Sequence, residues 1–402
     1  MFLYPVFGEV YKIVTWITPA GYRPVADVGE PYSQQLEATS KVGPVTYSVI
    51  SGTPPAGLSV SSDGLLSGTP TELSNQLFTV RASVITDPTV YADRQFGLAT
   101  RELPGFVVLA NSLIYRSNDM TTWSSVPYPA AAAAAGFRDI VYGNNIYVAN
   151  WSSTQADPEG HLASLWASED GATWVKTLGG PVFLGFNNIM FGNGLFMATT
   201  SGSVETSGAW TSPDGLTWTQ VSSARVTSPG ACGKGVFLSV YDKSILSSHD
   251  NGATWTVRHT STSTSLNPWL KMTYSPTLGL FIAIDLTNYI FSSPDGVTWT
   301  RTVSVQSSGI AGVGAGGNML YYSTSTNLHR YTYDGTTWTY SPTNTLFYFV
   351  DIADQAEPTT HLYGCGGGSD ARVHMTMDGV TFTSSPKLGT SSTLKKIATS
   401  RS

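Results

Sequence analysis

The sequence predicts an all-β chain: a small antiparallel β-sandwich followed by a seven-bladed β-propeller closed by its own C-terminal strand. Three observations predict it. A short Ser/Thr, Asp, Gly, Thr-Trp pattern recurs seven times. Its aromatic positions lie 37 to 51 residues apart, the spacing of propeller blades. Gly, Ser, Thr and aromatic residues are abundant while charged residues make up only 12%, a balance that suits turn-rich β-structure and argues against disorder.

Residues 1–20 come first. Phe2, Leu3, Tyr4, Phe7, Val10, Tyr11, Ile13, Val14, Trp16 and Ile17 are too many apolar groups for a free tail. Two readings stand: an edge strand on the sandwich, or an apolar arm docking on a partner chain. The segment lacks a basic start and a small-residue cleavage site, and Pro5, Glu9 and Lys12 interrupt it. Export by a signal of its own is therefore not expected, and no run reaches membrane-spanning length.

Residues 21–100 read as short strands between Gly/Pro turns. Tyr32–Ala38 alternates polar with apolar groups, and Thr46–Ile50 is a second strand. Leu58–Val60 and Leu65–Ser67 flank Ser62-Asp63-Gly64, whose Asp-Gly suits a tight hairpin. Leu77–Ala82 and Arg94–Ala99 complete a small sandwich. Gly29-Glu30-Pro31-Tyr32-Ser33, Ser51 to Leu58 and Asp63 to Pro70 resemble the immunoglobulin-like modules of bacterial surface and phage proteins. Val14-Thr15-Trp16-Ile17-Thr18-Pro19 resembles the opening of such modules in tailed-phage virion proteins. The resemblance implies a spacer or docking unit without catalytic residues.

Residues 101–402 carry the propeller. In the second repeat the strands are Asp139–Gly143, Ile146–Ala149, Leu165–Ser168 and Thr173–Val175. A four-stranded sheet with two apolar faces cannot bury them alone, whereas a ring buries each face against the next blade. At roughly 150–250 Å² per large aromatic and about 25 cal/mol per Å², each repeated Trp is an anchor of several kcal/mol before entropy. The first repeat lacks an inner strand, because Phe106–Ala110 already matches a second strand. Residues 393–399, with Leu394, Ile397 and Ala398, match inner strands and are expected to complete blade one.

The repeated aspartates are Asp119, Asp170, Asp214, Asp250, Asp295, Asp334 and Asp378. The aromatic partners are Trp123, Trp174, Trp218, Trp255, Trp299, Trp338 and Phe382. Each Asp can accept bonds from its own turn's N–H groups. The pattern resembles the Asp-box of sialidases and of many non-enzymatic propellers, in which the box is a structural hairpin remote from any active site. Met120 replaces the box Gly in blade one, and only Ser248 to Trp255 has the full spacing. A sialidase needs an arginine cluster, a Tyr–Glu pair and an acidic Asp. The ring's glutamates are few (Glu159, Glu169, Glu205, Glu357), and Arg138 is the single inner-strand arginine. That constellation cannot be assembled. A glycosidase built on Asp139 and Asp351 remains as an alternative.

Two places remain for function. Aligned inner strands put Asp139, Asn188, Pro229, Lys271, Ile310, Asp351 and Lys396 at one mouth of the channel. Inter-blade charge pairing is the plainer reading of Asp139, Asn188, Lys271, Asp351 and Lys396, and ligand binding the sharper one. Loops of unequal length are the second place. The blade-two insertion, with Trp151, Asp157, Glu159 and His161, and Trp269 on the same face, could stack on and hydrogen-bond a sugar. An ordinary ordered loop is the alternative.

Other classes find little support. A net charge of −6 with scattered Lys and Arg gives no footprint for nucleic acid. Cys232 and Cys365 read as buried free thiols, no metal site can be built from them, and no cofactor is expected. The expectation is a non-enzymatic structural or binding protein of a phage virion, assembled in the host cytoplasm. Residues 1–100 would meet other virion proteins, and the propeller loops would meet a host-surface glycan or protein. A homo-oligomer is compatible with phage symmetry. A bacterial adhesin and a glycan-cleaving enzyme are the alternatives.

Overall fold

The computed structural model describes residues 13–101, 105–133, 135–153, 156–180, 185–201, 208–265, 268–304, 312–316, 319–323, 328–342, 349–354, 362–366, 371–376, 382–388 and 394–400. The chain divides into two compact units, Met1–Leu103 and Pro104–Ser402.

The first unit is the sandwich. One sheet runs in the order Gly21–Tyr22, Asp87–Arg101, Asn75–Val84, Val45–Ser51, with Ala26–Asp27 also pairing to Asp87–Arg101. The other orders Tyr32–Gln35, Leu65–Gly68 and Leu58–Val60. The expected hairpin forms, with Val60 opposite Leu66 and Gly64 at φ +88°. Alternation along each strand sends Leu36, Tyr47, Leu66, Phe78, Val80, Phe96 and Leu98 into one core.

Val14–Trp16 joins this unit, as the edge-strand reading of residues 1–20 expected, so the docking-arm reading does not extend over Val14–Trp16. The strand pairs antiparallel with Ala38–Ser40. Strand alternation buries Val14 and Trp16 and leaves Ile13, Thr15 and Ile17 outside. Trp16 packs on Tyr47 and Phe96 and donates its indole N–H to the Ala92 carbonyl at 3.1 Å. That burial holds the segment in the edge-strand position. Residues 1–12 lie outside the described residues.

The second unit is a propeller of seven four-stranded antiparallel sheets among the described residues. The inner strands are Leu394–Thr399, Asp139–Gly143, Gly185–Gly192, Thr227–Gly233, Trp269–Ser275, Gly312–Gly316 and Phe349–Asp354. Each lies against the next, and Leu394–Thr399 lies against both Phe349–Asp354 and Asp139–Gly143, so the ring closes. Leu394–Thr399 pairs antiparallel with Phe106–Ala110, placing Ile397 opposite Val108. Phe106, Val108, Leu394 and Ile397 then share a core with Val373 and Leu388 of the last repeat. The first and last strands of the propeller unit thus meet in one blade, as the missing first strand required.

Box aromatics reach across blade boundaries. Trp218 of blade three packs with Ile146, Val148 and Leu165 of blade two. Trp174 lies 4.7 Å from the Phe137 ring, in the segment between blades one and two. Phe382 packs on Tyr321 and Leu328 of blade six. These contacts supply the apolar cover that a single sheet lacks.

Candidate binding site at the channel mouth

The described Asp-boxes are spent on their own turns. Asp170 accepts the N–H groups of Ala172 and Thr173 at 2.8 and 2.7 Å. Asp119, Asp214, Asp295 and Asp334 each accept the two corresponding N–H groups at 2.7–2.9 Å. Asp250, in the one longer turn, accepts Thr254 N–H at 2.9 Å. The Thr254 hydroxyl and backbone N–H, with the Ser248 hydroxyl, hold its carboxyl down at about 2. Backbone N–H donors likewise hold Asp119 well below the carboxylate range, and at Asp334 the Thr337 hydroxyl leads. The box position after Asp needs a left-handed backbone: Gly171, Gly215 and Gly296 sit at φ +67 to +71°, and Met120 adopts φ 64° in their place. Trp123, Trp174, Trp218 and Trp255 each donate the indole N–H to the carbonyl three residues back, at 2.8–3.2 Å. Asp378 lies outside the described residues.

The blade-two loop closes on itself. Asp157, its carboxylate fully buried, accepts the N–H groups of Glu159 and His161 at 3.0 and 2.9 Å. Lys176 reaches Asp157 at 2.7 Å and Glu159 at 2.6 Å, with His161 Nδ1 3.3 Å away. Burial opposes ionisation of Asp157. The ammonium and the two N–H groups outweigh it and hold its carboxyl below the usual range. Asp157, Glu159 and His161 therefore come together as predicted, but as an internal knot around Lys176, a residue the sequence reading did not include. The two tryptophans are corrected. Trp151 is 1% exposed and Trp269 4% exposed. Trp151 lies in a strand whose residues are all buried, and Trp269 packs edge-on against His259 and Phe291. Neither presents an open ring face for stacking on a sugar, because each fills the space between sheets.

The inner-strand ends do converge. Asp139, Asn188, Pro229, Lys271 and Lys396 line one pocket of about 440 Å³, together with Arg138, Asn187, Ser228, Gly230, Val313 and the edge of Trp269. Lys396 Nζ sits 3.3 Å from Asp139, an inter-blade pair across blades one and two. The inter-blade pairing is present, and the pocket lies beside it. Asp351 occupies the matching strand of blade seven, where it pairs with Cys365; its side chain and Ile310 lie outside the described residues.

Arg138 was the residue that alignment passed over, because it precedes the aligned column by one. Its Nε donates to the Ser152 carbonyl at 3.0 Å, and the residue is exposed. Beside it, Lys395 donates to the Ala135 carbonyl at 3.2 Å, and burial, then the Arg138 charge, lower its pKa. Asn188 is 7% exposed, with its Nδ2 buried and unpartnered, and a Cβ on Gly230 would come within 2.3 Å of that nitrogen. The absence of a side chain at Gly230 leaves the space that the Asn188 amide occupies.

Among the described residues no group of three His, Cys, Asp or Glu is placed to hold a metal ion. The Cys232 thiol donates to the Phe191 carbonyl, and burial pushes it up to about 12. His374, 2% exposed, is hydrogen-bonded to Ser384 within its blade.

Comparison with known proteins agrees with this architecture. A family model described as "Putative Ig domain" matches residues 15–100. No curated protein matches the chain. A quinonprotein alcohol dehydrogenase-like protein from Bacteroides thetaiotaomicron is similar in structure at 11% identity, covering 95% of this chain and 97% of that one, with a TM-score of 0.50. YCF48 bound to D1 peptide matches 66% of this chain and 87% of its own, at 15% identity and TM-score 0.47. Apo AztD from Citrobacter koseri matches 74% and 98%, at 9% identity and TM-score 0.48. At such identities the likeness is one of fold. The chain is thus an immunoglobulin-like sandwich followed by a propeller.

Proposed function

We propose that this chain is a non-enzymatic structural and binding protein of a bacteriophage virion. The sandwich docks on other virion proteins, and the propeller presents its channel-mouth face to a host-surface ligand. The observation that carries the reading is a division of surfaces. Of fifteen large apolar side chains exposed among the described residues, ten belong to the sandwich, including Ile17, Tyr22, Leu77 and Ile85. That concentration of exposed apolar side chains on the smaller unit supports a docking role for the sandwich. The propeller instead gathers charged and amide side chains around the mouth pocket. The resemblance of residues 14–70 to modules of tailed-phage proteins supports the virion setting.

Asp139, one of the two carboxylates a glycosidase would need, is engaged by Lys396. That arrangement favours binding over cleavage. The test has two arms. Mass spectrometry of purified particles should find the chain, and its gene should lie among tail genes; a chromosomal setting without phage genes refutes the virion assignment. Labelled whole protein should adsorb to host cells, and adsorption should be lost on replacing Arg138 and Lys271. Adsorption undiminished in that double variant refutes the mouth face as the recognition surface.

A further inference from the structure

We propose that the Asp-box turns of blades two to five are the receiving halves of inter-blade clasps. In each clasp a side chain of the preceding blade donates a hydrogen bond to the box turn, so the blades are fixed to one another in a single direction along the chain. The device is independent of what the mouth binds. Each inner strand starts at the mouth, and strand alternation puts the first hairpin turn and the box turn together at its far end.

Four consecutive blade boundaries carry the bond among the described residues. Arg116 of blade one donates from Nη1 to the carbonyl of Asp170 in the blade-two box, at 2.9 Å. Asn144 of blade two donates from Nδ2 to the carbonyl of Pro213, the neighbour of Asp214 in the blade-three box, at 2.8 Å, and to the Gly194 carbonyl at 2.9 Å. Asn193 of blade three donates to Oδ1 of Asn251, the neighbour of Asp250 in the blade-four box, at 3.1 Å. Lys234 of blade four donates to the carbonyl of Pro294, the neighbour of Asp295 in the blade-five box, at 3.2 Å, and to the Gly279 carbonyl at 2.8 Å. Every acceptor lies on a box aspartate or directly beside one, and every donor comes from the blade before.

The backbone prepares three of these donors. Asn144, Asn193 and Lys234 occupy the tips of the first hairpins at φ 46°, 54° and 47°. Asn tolerates that left-handed conformation, whereas Lys is not among the residues that favour it; the reach of its ammonium to two carbonyls is what the position gains. Gly143, Gly192 and Gly233 precede the tips. A Cβ on them would fall 2.3, 2.9 and 2.3 Å from Phe191, Cys232 and Tyr274 of the next blade. Their missing side chains let neighbouring inner strands close up at this end, which brings each tip to the next box.

The clasp also accounts for the one box of full spacing. Asp250-Asn251-Gly252 holds one residue more than Asp170-Gly171 or Asp214-Gly215. That residue, Asn251, is the one that meets Asn193.

The experiment is backbone hydrogen exchange read by mass spectrometry on the whole chain, for Asn144→Asp, Asn144→Gly, Asn193→Gly, Asn251→Gly and the double variant of the last two. Asn144→Asp keeps the shape and the left-handed tolerance but sets a carboxylate against two carbonyl oxygens. Asn144→Gly keeps the backbone freedom and removes the donor. Both should speed exchange in the blade-three box, residues 213–218, by about threefold to tenfold, as expected for losing hydrogen bonds at a partly exposed turn. The blade-two box, residues 169–174, should exchange as in the parent. Asn193→Gly should speed exchange in the blade-four box, residues 250–255, and should add nothing once Asn251→Gly is present. Circular dichroism checks folding; if Asn144→Asp fails to fold, Asn144→Gly carries the test. Unchanged exchange in the following box overturns the clasp. An equal rise in the box of the donor's own blade overturns its direction. Additive effects of Asn193→Gly and Asn251→Gly overturn the pairing that explains the longer box.

Discussion

Ile397 tests ring closure by its final strand in a graded way. It is 3% exposed, opposite Val108, in a core it shares with Phe106, Leu394, Leu388 and Val373. Truncating a buried Ile to Ala costs about 2–5 kcal/mol. A unit of the size of Pro104–Ser402 gains roughly 0.6 kcal/mol per kelvin in unfolding entropy, at about 2.1 cal/mol/K per residue. Ile397→Ala should therefore lower the ring's melting temperature by about 3–8 °C. Val175→Ala, at a side chain 59% exposed on the outer strand of blade two, should change it by no more than about 1 °C. Ending the chain after Pro386 removes Leu388, Leu394 and Ile397 together and strips the Phe106–Ala110 strand of its partner. Three such losses match or exceed a typical stability of about 5–15 kcal/mol, so the shortened ring should show no cooperative transition. Tryptophan fluorescence is the assay. The chain has 11 Trp, and every one except Trp16 lies in the propeller unit, so the signal reports on the ring. A truncated chain that melts cooperatively at the parental temperature refutes the closure.

Three further outcomes are expected. Gly215→Ala should destabilise the ring by about 1–3 kcal/mol in urea titration, because φ is +71° and the new Cβ would sit 2.7 Å from Val148 Cγ2; an unchanged midpoint contradicts the strain argument. Trp151→Ala should cost about 3–5 kcal/mol as a cavity at a fully buried site, measured by the same titration. Retained stability would show that this ring is not part of the core. The box carboxylates have folded pKa values below their unfolded ones, near 2 for Asp250. Their stabilisation is complete above the unfolded value of about 4 and is lost as pH falls toward 2. Melting temperature should drop across that window, and Asp250→Asn should flatten the drop; an equally steep limb in the variant would remove the box from the cause.

The repeats were legible because a turn's demands are local. Asp followed by Gly, Thr and Trp specifies a carboxylate over its own N–H groups, a left-handed residue and an aromatic plug, whatever surrounds it. Strand counting then exposed the missing inner strand, and the C-terminal candidate, Leu394–Thr399, fills it. Trp16 was ambiguous for the opposite reason: its alternation with Val14 is visible in the sequence, but whether a strand docks depends on an edge that other strands build. Trp151 and Trp269 misled because an aromatic next to a polar loop reads the same whether it faces solvent or a neighbouring sheet. Blade packing put both inside.

By itself the sequence determined the all-β class, the blade repeat, the hairpin role of the aspartates and the strand that closes the ring. These follow from short-range turn chemistry and strand periodicity. Tertiary structure alone decided that Arg138 joins the mouth and that a pocket of about 440 Å³ lies there. Arg138, Lys271 and Lys396 are far apart in sequence and lie on blades two, five and one. Closure of the ring brings their inner strands to one axis, and packing determined that Asp157 would be buried around Lys176. The repeat alignment already placed Asp139, Asn188, Lys271 and Lys396 at one mouth, but the volume of the pocket there and the place of Arg138 in its lining depend on packing and leave no pattern in the sequence.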